Sequence, residues 1–113
     1  MSDFITSVKE MNGITLIETN GYLNNVGGEE ISTICYAKMG EGQTKFLINM
    51  AGTKIVNSIG VSILIEIIEK LQEVNGKIGY YNLAPIVSKT FNIMGLTKYS
   101  TVFETEELAV NEL

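Results

Sequence analysis

A short apolar run, a spacer and a long helix follow one another between Lys45 and Val74, where the chain reads KFLINMAGTKIVNSIGVSILIEIIEKLQEV. Lys45 to Met50 is short, continuous and apolar, which is typical of a buried central strand. The spacer Ala51-Gly52-Thr53 and a second apolar run, Ile55-Val56, separate this strand from the helix, which is predicted to begin near Ser58. A strand that leads into a long helix is typical of α/β domains.

The predicted helix is apolar over most of its surface between Val61 and Val74. Four of its polar side chains are spaced four, three and four residues apart, so they form one narrow stripe: Ser62, Glu66, Glu69 and Glu73. We expect this stripe to face solvent, while the rest of the helix packs against a sheet and a neighbouring helix. Asn75-Gly76 is expected to end the helix.

The chain before Lys45 is predicted to hold a hairpin and a helix. Phe4 to Met11 and Ile14 to Glu18 are expected to pair, because Asn12-Gly13 tolerates the positive φ values that a two-residue turn needs. Residues 20–25 are predicted to form a loop. The helix is predicted from Gly28 to Lys38.

This first helix places Glu29 and Glu30 in its first turn, where the helix dipole favours acidic side chains. Cys35 is predicted to be a small core residue of the same helix, because no cationic neighbour would activate its thiol. As the only cysteine, it has no partner for an internal disulfide.

The chain after the long helix adds two strands and two helices. Lys77 to Tyr81 and Thr101 to Phe103 are predicted strands. Between them lies a helix with Pro85 in its first turn, where the missing N–H costs nothing, and Gly95 at its end. Thr105 is the predicted N-cap of a terminal helix that reaches Leu113.

The resulting order, β-β-α-β-α-β-α-β-α, predicts one α/β domain over residues 1–113 with a mixed, largely parallel sheet.

Composition excludes several kinds of function. The 113 residues contain no histidine and no arginine, which removes histidine-based catalysis and metal binding, and also bidentate recognition of phosphate by guanidinium. The net charge of −5 gives no electrostatic reason to bind nucleic acid or an anionic membrane. We therefore expect no nucleic acid, membrane, metal or cofactor as a partner.

The N-terminal Met-Ser-Asp-Phe has neither a basic region nor an apolar region like those of a signal peptide. The longest apolar run is far too short to span a bilayer. A cytoplasmic protein is expected.

Catalysis is the competing class of function. Glu66, Glu69 and Glu73 are candidates for paired carboxylates or metal ligands, but they share one exposed helix face with no opposing acid. The sequence has neither the Gly-x-x-x-x-Gly-Lys phosphate loop nor the Gly-x-Gly-x-x-Gly dinucleotide fingerprint. It therefore favours a binding protein over an enzyme.

The order of elements, together with three short motifs, resembles the STAS family, the sulfate transporter and anti-sigma factor antagonist domains. That family carries a Gly-x-Leu-Asp turn after its second strand, an Asp-Ser-x-Gly before a long helix, and a Gly-Leu a few residues before a short strand. The matching stretches here are Gly21-Tyr22-Leu23-Asn24, Asn57-Ser58-Ile59-Gly60 and Gly95-Leu96. The resemblance covers essentially the whole chain and implies a single STAS-type domain with helices packed mainly on one face of the sheet.

The resemblance also implies a regulatory function. In the bacterial regulators of the family, an anti-sigma factor that is a serine kinase phosphorylates the serine of Asp-Ser-x-Gly, and a serine phosphatase resets the cycle. The unphosphorylated domain binds the kinase and so frees a sigma factor. The matching serine here is Ser58.

The loops that follow two parallel strands lie at the same end of a sheet, which is where partners usually dock. We therefore expect partner contacts from a set of residues in the two motif loops: Asn24, Asn25, Asn57, Ser58, Ile59 and Gly60.

Three residues depart from the family pattern. Asn24 and Asn57 replace the usual aspartates, which keeps the turn and capping ability but removes the charge. Ile59 replaces what is commonly a small polar residue.

Ser58 also has a structural interpretation as the N-cap of the long helix, where a serine contributes about 1 kcal/mol of stability. An unswitched STAS scaffold and a small-ligand sensor module are the alternative functions.

Overall fold

Five strands form one sheet in the computed structural model, which describes residues 3–113. Met1 and Ser2, the first two residues of the N-terminal stretch discussed above, lie outside the described residues. The strands lie side by side in chain order: β1 (Ile5–Met11), β2 (Ile14–Leu23), β3 (Lys45–Val56), β4 (Lys77–Tyr81) and β5 (Thr101–Phe103). β1 is antiparallel to β2, and every other neighbouring pair is parallel. The predicted mixed, largely parallel sheet is confirmed.

The helices connect these strands in the predicted order. They are α1 (Asn25–Gly40), α2 (Ser58–Glu73), α3 (Pro85–Ile93) and α4 (Glu106–Glu112), and a 3-10 turn (Leu96–Lys98) lies between α3 and β5. Pro85 occupies the first turn of α3, and the Thr105 hydroxyl caps α4 by accepting the N–H of Leu108 at 3.1 Å. Both of these predictions are confirmed.

Two apolar clusters lie on opposite faces of the sheet. The larger one packs α1, α2 and α3 on one face, with Ile31, Leu64 and Phe91 against strand residues such as Ile48. The smaller one lies under α4, where Ala109 belongs to one cluster with residues of β2, β3, β4 and β5. The helices therefore lie mainly on one face, as a STAS-type domain was expected to have them.

β2 and β3 are longer than predicted. β2 continues past Glu18 to Leu23, and β3 continues through Ala51-Gly52-Thr53 to Val56. The two strands remain paired over this length, with irregularities of register that accommodate Asn20 and Gly21. The predicted loop over residues 20–25 is therefore wrong, because pairing between the two strands overrides the local preference of Asn and Gly for turns.

α1 begins earlier than predicted, at Asn25 instead of Gly28. Glu29 and Glu30 consequently lie beyond its first turn, and the prediction that they occupy it is wrong. Gly27 and Gly28 are buried inside this helix, and α1 and α2 approach closely there. A Cβ at Gly28 would come within 2.9 Å of the Ile63 side chain of α2.

Candidate partner-binding site where α1 and α2 begin

β2 and β3 bring the chain to the same edge of the sheet. β4 ends at Tyr81, opposite Asn49, whereas β3 continues to Val56 in pairing with Leu23 of β2. α1 starts directly after β2 and α2 directly after β3. The backbone N–H of Asn57 donates to the carbonyl of Leu23 at 3.0 Å, which joins the two strand–helix junctions. We call the region around Asn24 and Asn57 the double junction.

Each helix of the double junction is capped by an asparagine. The Asn24 side-chain oxygen accepts the N–H of Gly27 at 3.0 Å, and the Asn57 side-chain oxygen accepts the N–H of Gly60 at 2.9 Å. Both bonds satisfy a backbone donor that the helix itself leaves unpaired. The N-cap of α2 is thus Asn57, and the structural interpretation of Ser58 as the N-cap is wrong.

Ser58 is instead the first residue of α2, and it is exposed. Its backbone carbonyl accepts the hydroxyl of Ser62 at 2.8 Å, one turn further along the helix. Because Asn57 makes the capping bond, the Ser58 hydroxyl has no structural task at the helix end. It lies at the positive end of the helix dipole, in a position where a covalent change is sterically accessible.

Gly60 fixes how closely the two junctions approach. A Cβ at this position would overlap the carbonyl of Leu23 and come within 3.1 Å of the carbonyl oxygen of Asn24. Only glycine lets the first turn of α2 lie against the end of β2 in this way. Gly60 is buried, so it positions the double junction and presents no side chain to solvent.

The structure brings all six residues of the predicted partner-binding set to the double junction. Asn25, Ser58 and Ile59 are exposed. Asn24 and Asn57 are half-buried, and their side chains make the capping bonds.

Sequence reasoning missed three further exposed side chains at this place. Tyr22 and Val26 lie two residues before and after Asn24, and Ile55 lies two residues before Asn57; Ile59 takes the matching position after Asn57. These four large apolar side chains are 44% to 58% exposed. We call them the apolar rim. Tyr22 and Ile55 are register partners in the β2–β3 pair. Strand alternation beside the buried Leu23 would have identified Tyr22, had the strand not been predicted to end earlier.

The thiol and the carboxylates that sequence analysis weighed as reactive groups lie outside the double junction. Burial raises the pKa of the Cys35 thiol to about 12, and Cys35 belongs to the core, as predicted. The carboxyl-bearing stripe Glu66, Glu69 and Glu73 is exposed along α2, as predicted. Within residues 3–113, no three cysteine or acidic side chains are grouped closely enough to hold a metal ion.

No helix in the described part of the chain is both long and apolar enough to cross a bilayer.

Comparisons with known proteins match this architecture. A model of the STAS domain family matches residues 6–109. BtrV of Bordetella bronchiseptica, which is proposed to be an anti-sigma factor antagonist, is 19% identical over 103 residues, covering 91% of this chain and 89% of BtrV.

Solved structures of other bacterial proteins have the same fold as this chain. A Thermotoga maritima protein proposed to be an anti-sigma factor antagonist superposes with a TM-score of 0.85 at 13% identity, covering 94% of this chain and 92% of the other. Bacillus SpoIIAA in its phosphorylated form superposes with a TM-score of 0.72 at 22% identity, covering 93% and 96%. At these identities the likeness shows the fold, and the family match over residues 6–109 shows the relationship: this chain belongs to the STAS domain family.

Proposed function

We propose that this chain is a cytoplasmic bacterial regulator of the anti-sigma factor antagonist type, which binds an anti-sigma factor that is also a serine kinase. The double junction is the proposed binding surface, and Ser58 the proposed site of phosphorylation. The observation that carries the proposal is the placement of the Ser58 hydroxyl: exposed, free of the capping bond, and within the stretch of chain that bears the apolar rim.

The apolar rim gives a reason for binding. Four large apolar side chains exposed within two residues of Asn24 or Asn57 are typical of a surface that a protein partner covers, since aromatic and aliphatic anchors supply most of the free energy of such contacts. The two cap residues add no charge to this surface. In the unphosphorylated chain, a partner can therefore dock without desolvating a carboxylate at the caps.

A phosphate on Ser58 would change this surface without disturbing the fold. It would add a charge of about −1.5 to −2 at the start of α2, where the helix dipole favours anions. The same charge would lie beside Ile59 and the rest of the apolar rim, and its desolvation would oppose docking. Phosphorylation would thus release the partner, and a serine phosphatase would restore binding.

Asn24 and Asn57 give a specific reason to test the kinase step directly. Both cap bonds are kept, but the carboxylates of the family pattern are absent. A kinase that reads those carboxylates would phosphorylate this chain slowly. The second candidate function, an unswitched STAS scaffold, rests on this difference.

The experiment combines titration with mass spectrometry. The chain is titrated calorimetrically against each anti-sigma kinase of its own genome, and we expect one of them to bind. Intact mass is then measured after incubation with that kinase and ATP, for wild type, Ser58→Ala and Asn57→Asp. Ser62→Ala is the matched control, because Ser62 is an exposed serine one turn away.

We expect one phosphate on wild type and on Ser62→Ala, none on Ser58→Ala, and faster incorporation in Asn57→Asp. Binding without phosphorylation of wild type would leave an unswitched scaffold. Absence of binding to every kinase would reject the proposed partner.

A further inference from the structure

A groove lies between the C-terminal half of α2 and the segment that joins α3 to β5. Its volume is about 200 Å³, and its walls include Ile65 and Glu69 on α2 and Met94, Lys98 and Tyr99 on the joining segment. Glu69 is eleven residues from Ser58 along α2, which corresponds to roughly 16 Å at a helix rise of about 1.5 Å per residue. The groove is therefore separate from the double junction.

Two apolar side chains of the stretch from Ile93 to Tyr99, which leads along one wall of the groove, are more exposed than any other large apolar side chain in the described part of the chain. Ile93, next to the groove residue Met94, is 74% exposed, and Tyr99 on the groove wall is 68% exposed. Isolated exposed apolar residues need no explanation, but an aromatic and an aliphatic residue beside a groove form a surface suited to burial against protein.

The two walls of the groove carry opposite charges. The α2 wall holds Glu69 within the acidic stripe, whereas residues 82–103 contain lysines and no acidic residue. Glu69 and Lys98 take part in none of the three ion pairs formed among residues 3–113, which use Lys38 and Lys70. Both charges line the same groove, and neither has a counter-charge within 4 Å among residues 3–113.

We infer that the occupant of this groove is a second copy of the chain, in a two-fold symmetric dimer. A two-fold axis makes each residue pair occur twice, so the acidic wall of each copy faces the basic wall of the other. Glu69 of one copy then pairs with Lys98 of its partner on both sides of the axis, and both copies bury Tyr99 and Ile93. One patch that carries both charge signs and apolar side chains is complementary to itself in this arrangement.

The first test measures oligomeric state by sedimentation velocity over a concentration series. We expect a reversible dimer for wild type and a dissociation constant raised at least about tenfold, 1.4 kcal/mol, by Tyr99→Ser or Ile93→Ser. Ile55→Ser is the control, because Ile55 is an exposed isoleucine of the apolar rim, on a different element from Ile93 and outside the groove, and this variant should dimerise as wild type does. A wild-type chain that stays monomeric at the highest concentration overturns the inference.

The second test exchanges the charges. Glu69→Lys and Lys98→Glu should each be monomeric, because each places like charges face to face across the axis. An equimolar mixture of the two should form a heterodimer, since lysines at both positions of one copy then meet glutamates at both positions of the other. Glu66→Lys, on the same helix but outside the groove, is the charge control and should dimerise normally. Two variants that do not associate when mixed, or that still dimerise separately, contradict the proposed pairing.

Discussion

The asparagines at positions 24 and 57 separate two properties that aspartate would combine. An aspartate at a helix N-cap accepts a backbone hydrogen bond and also neutralises part of the helix dipole. Asparagine keeps the hydrogen bond, as the 3.0 Å and 2.9 Å contacts to Gly27 and Gly60 show, and contributes no charge. The two caps of the double junction therefore contribute no charge, and a phosphate on Ser58 would add about −1.5 to −2 beside them.

The assignment of the cap to Asn57 makes a prediction about stability. Asn57→Ala removes the acceptor of the Gly60 N–H and should lower the free energy of unfolding by about 1 kcal/mol. Ser58→Ala removes an exposed hydroxyl with no capping role and should change it by less than about 0.5 kcal/mol. Urea denaturation of both variants checks the difference. Equal losses would mean that the serine shares the cap.

At the scale of elements, the contact between the start of α2 and the end of β2 depends on Gly60. Gly60→Ala forces a Cβ against two backbone carbonyls, which cannot move as a flexible side chain can, so we expect a loss of about 1–3 kcal/mol. Gly40→Ala is the control: Gly40 ends α1, is exposed and has no atom within 4 Å of the new Cβ. That change should be neutral or stabilising by up to about 1 kcal/mol. Similar denaturation midpoints for the two variants would show that the junction relaxes.

The elements that could be predicted from the sequence are those fixed by local signals. Pro85, Thr105 and the apolar periodicity of α2 each act within one or two turns, and the structure agrees with them. The ends of β2 and β3 depend on pairing between residues about thirty positions apart, such as Leu23 with Val56, which no local pattern contains. The start of α1 was missed as well, because its N-cap residue Asn24 and its first residue Asn25 were predicted to lie in a loop.

The same distinction applies to the candidate site. The six predicted contact residues come from two motifs and meet at one edge because parallel strands end together. Tyr22, Val26 and Ile55 were missed because their exposure depends on the extended β2–β3 pair and the early start of α1. The groove beside α2 could not be predicted from the sequence either, because its walls bring together Glu69 and Lys98 from separate helical segments.

At the scale of the whole molecule, α2 links the two surfaces for which we propose different tasks. Its N-terminus carries Ser58 and part of the apolar rim, and its C-terminal half forms one wall of the groove. A dimer that uses the groove leaves both double junctions accessible. Each copy would then engage its own partner, and a phosphate on one copy would release only the partner bound there.

A substitution at Ser58 separates binding from folding and from dimerisation. Ser58→Asp places a carboxylate in the first turn of α2, where the helix dipole favours it, so the thermal midpoint should stay equal or rise slightly. The same carboxylate would be desolvated beside Ile59 when the partner docks, so the affinity for the anti-sigma kinase should fall at least about tenfold. The Ser58→Asn variant is the control, because it adds the same volume without the charge and should retain most of the affinity. Calorimetric titration gives the affinities, and sedimentation velocity should show an unchanged dimer, since Ser58 lies far from the groove. If Ser58→Asn weakens binding as much as Ser58→Asp, size and not charge governs docking at this position, and a phosphate switch loses its electrostatic basis.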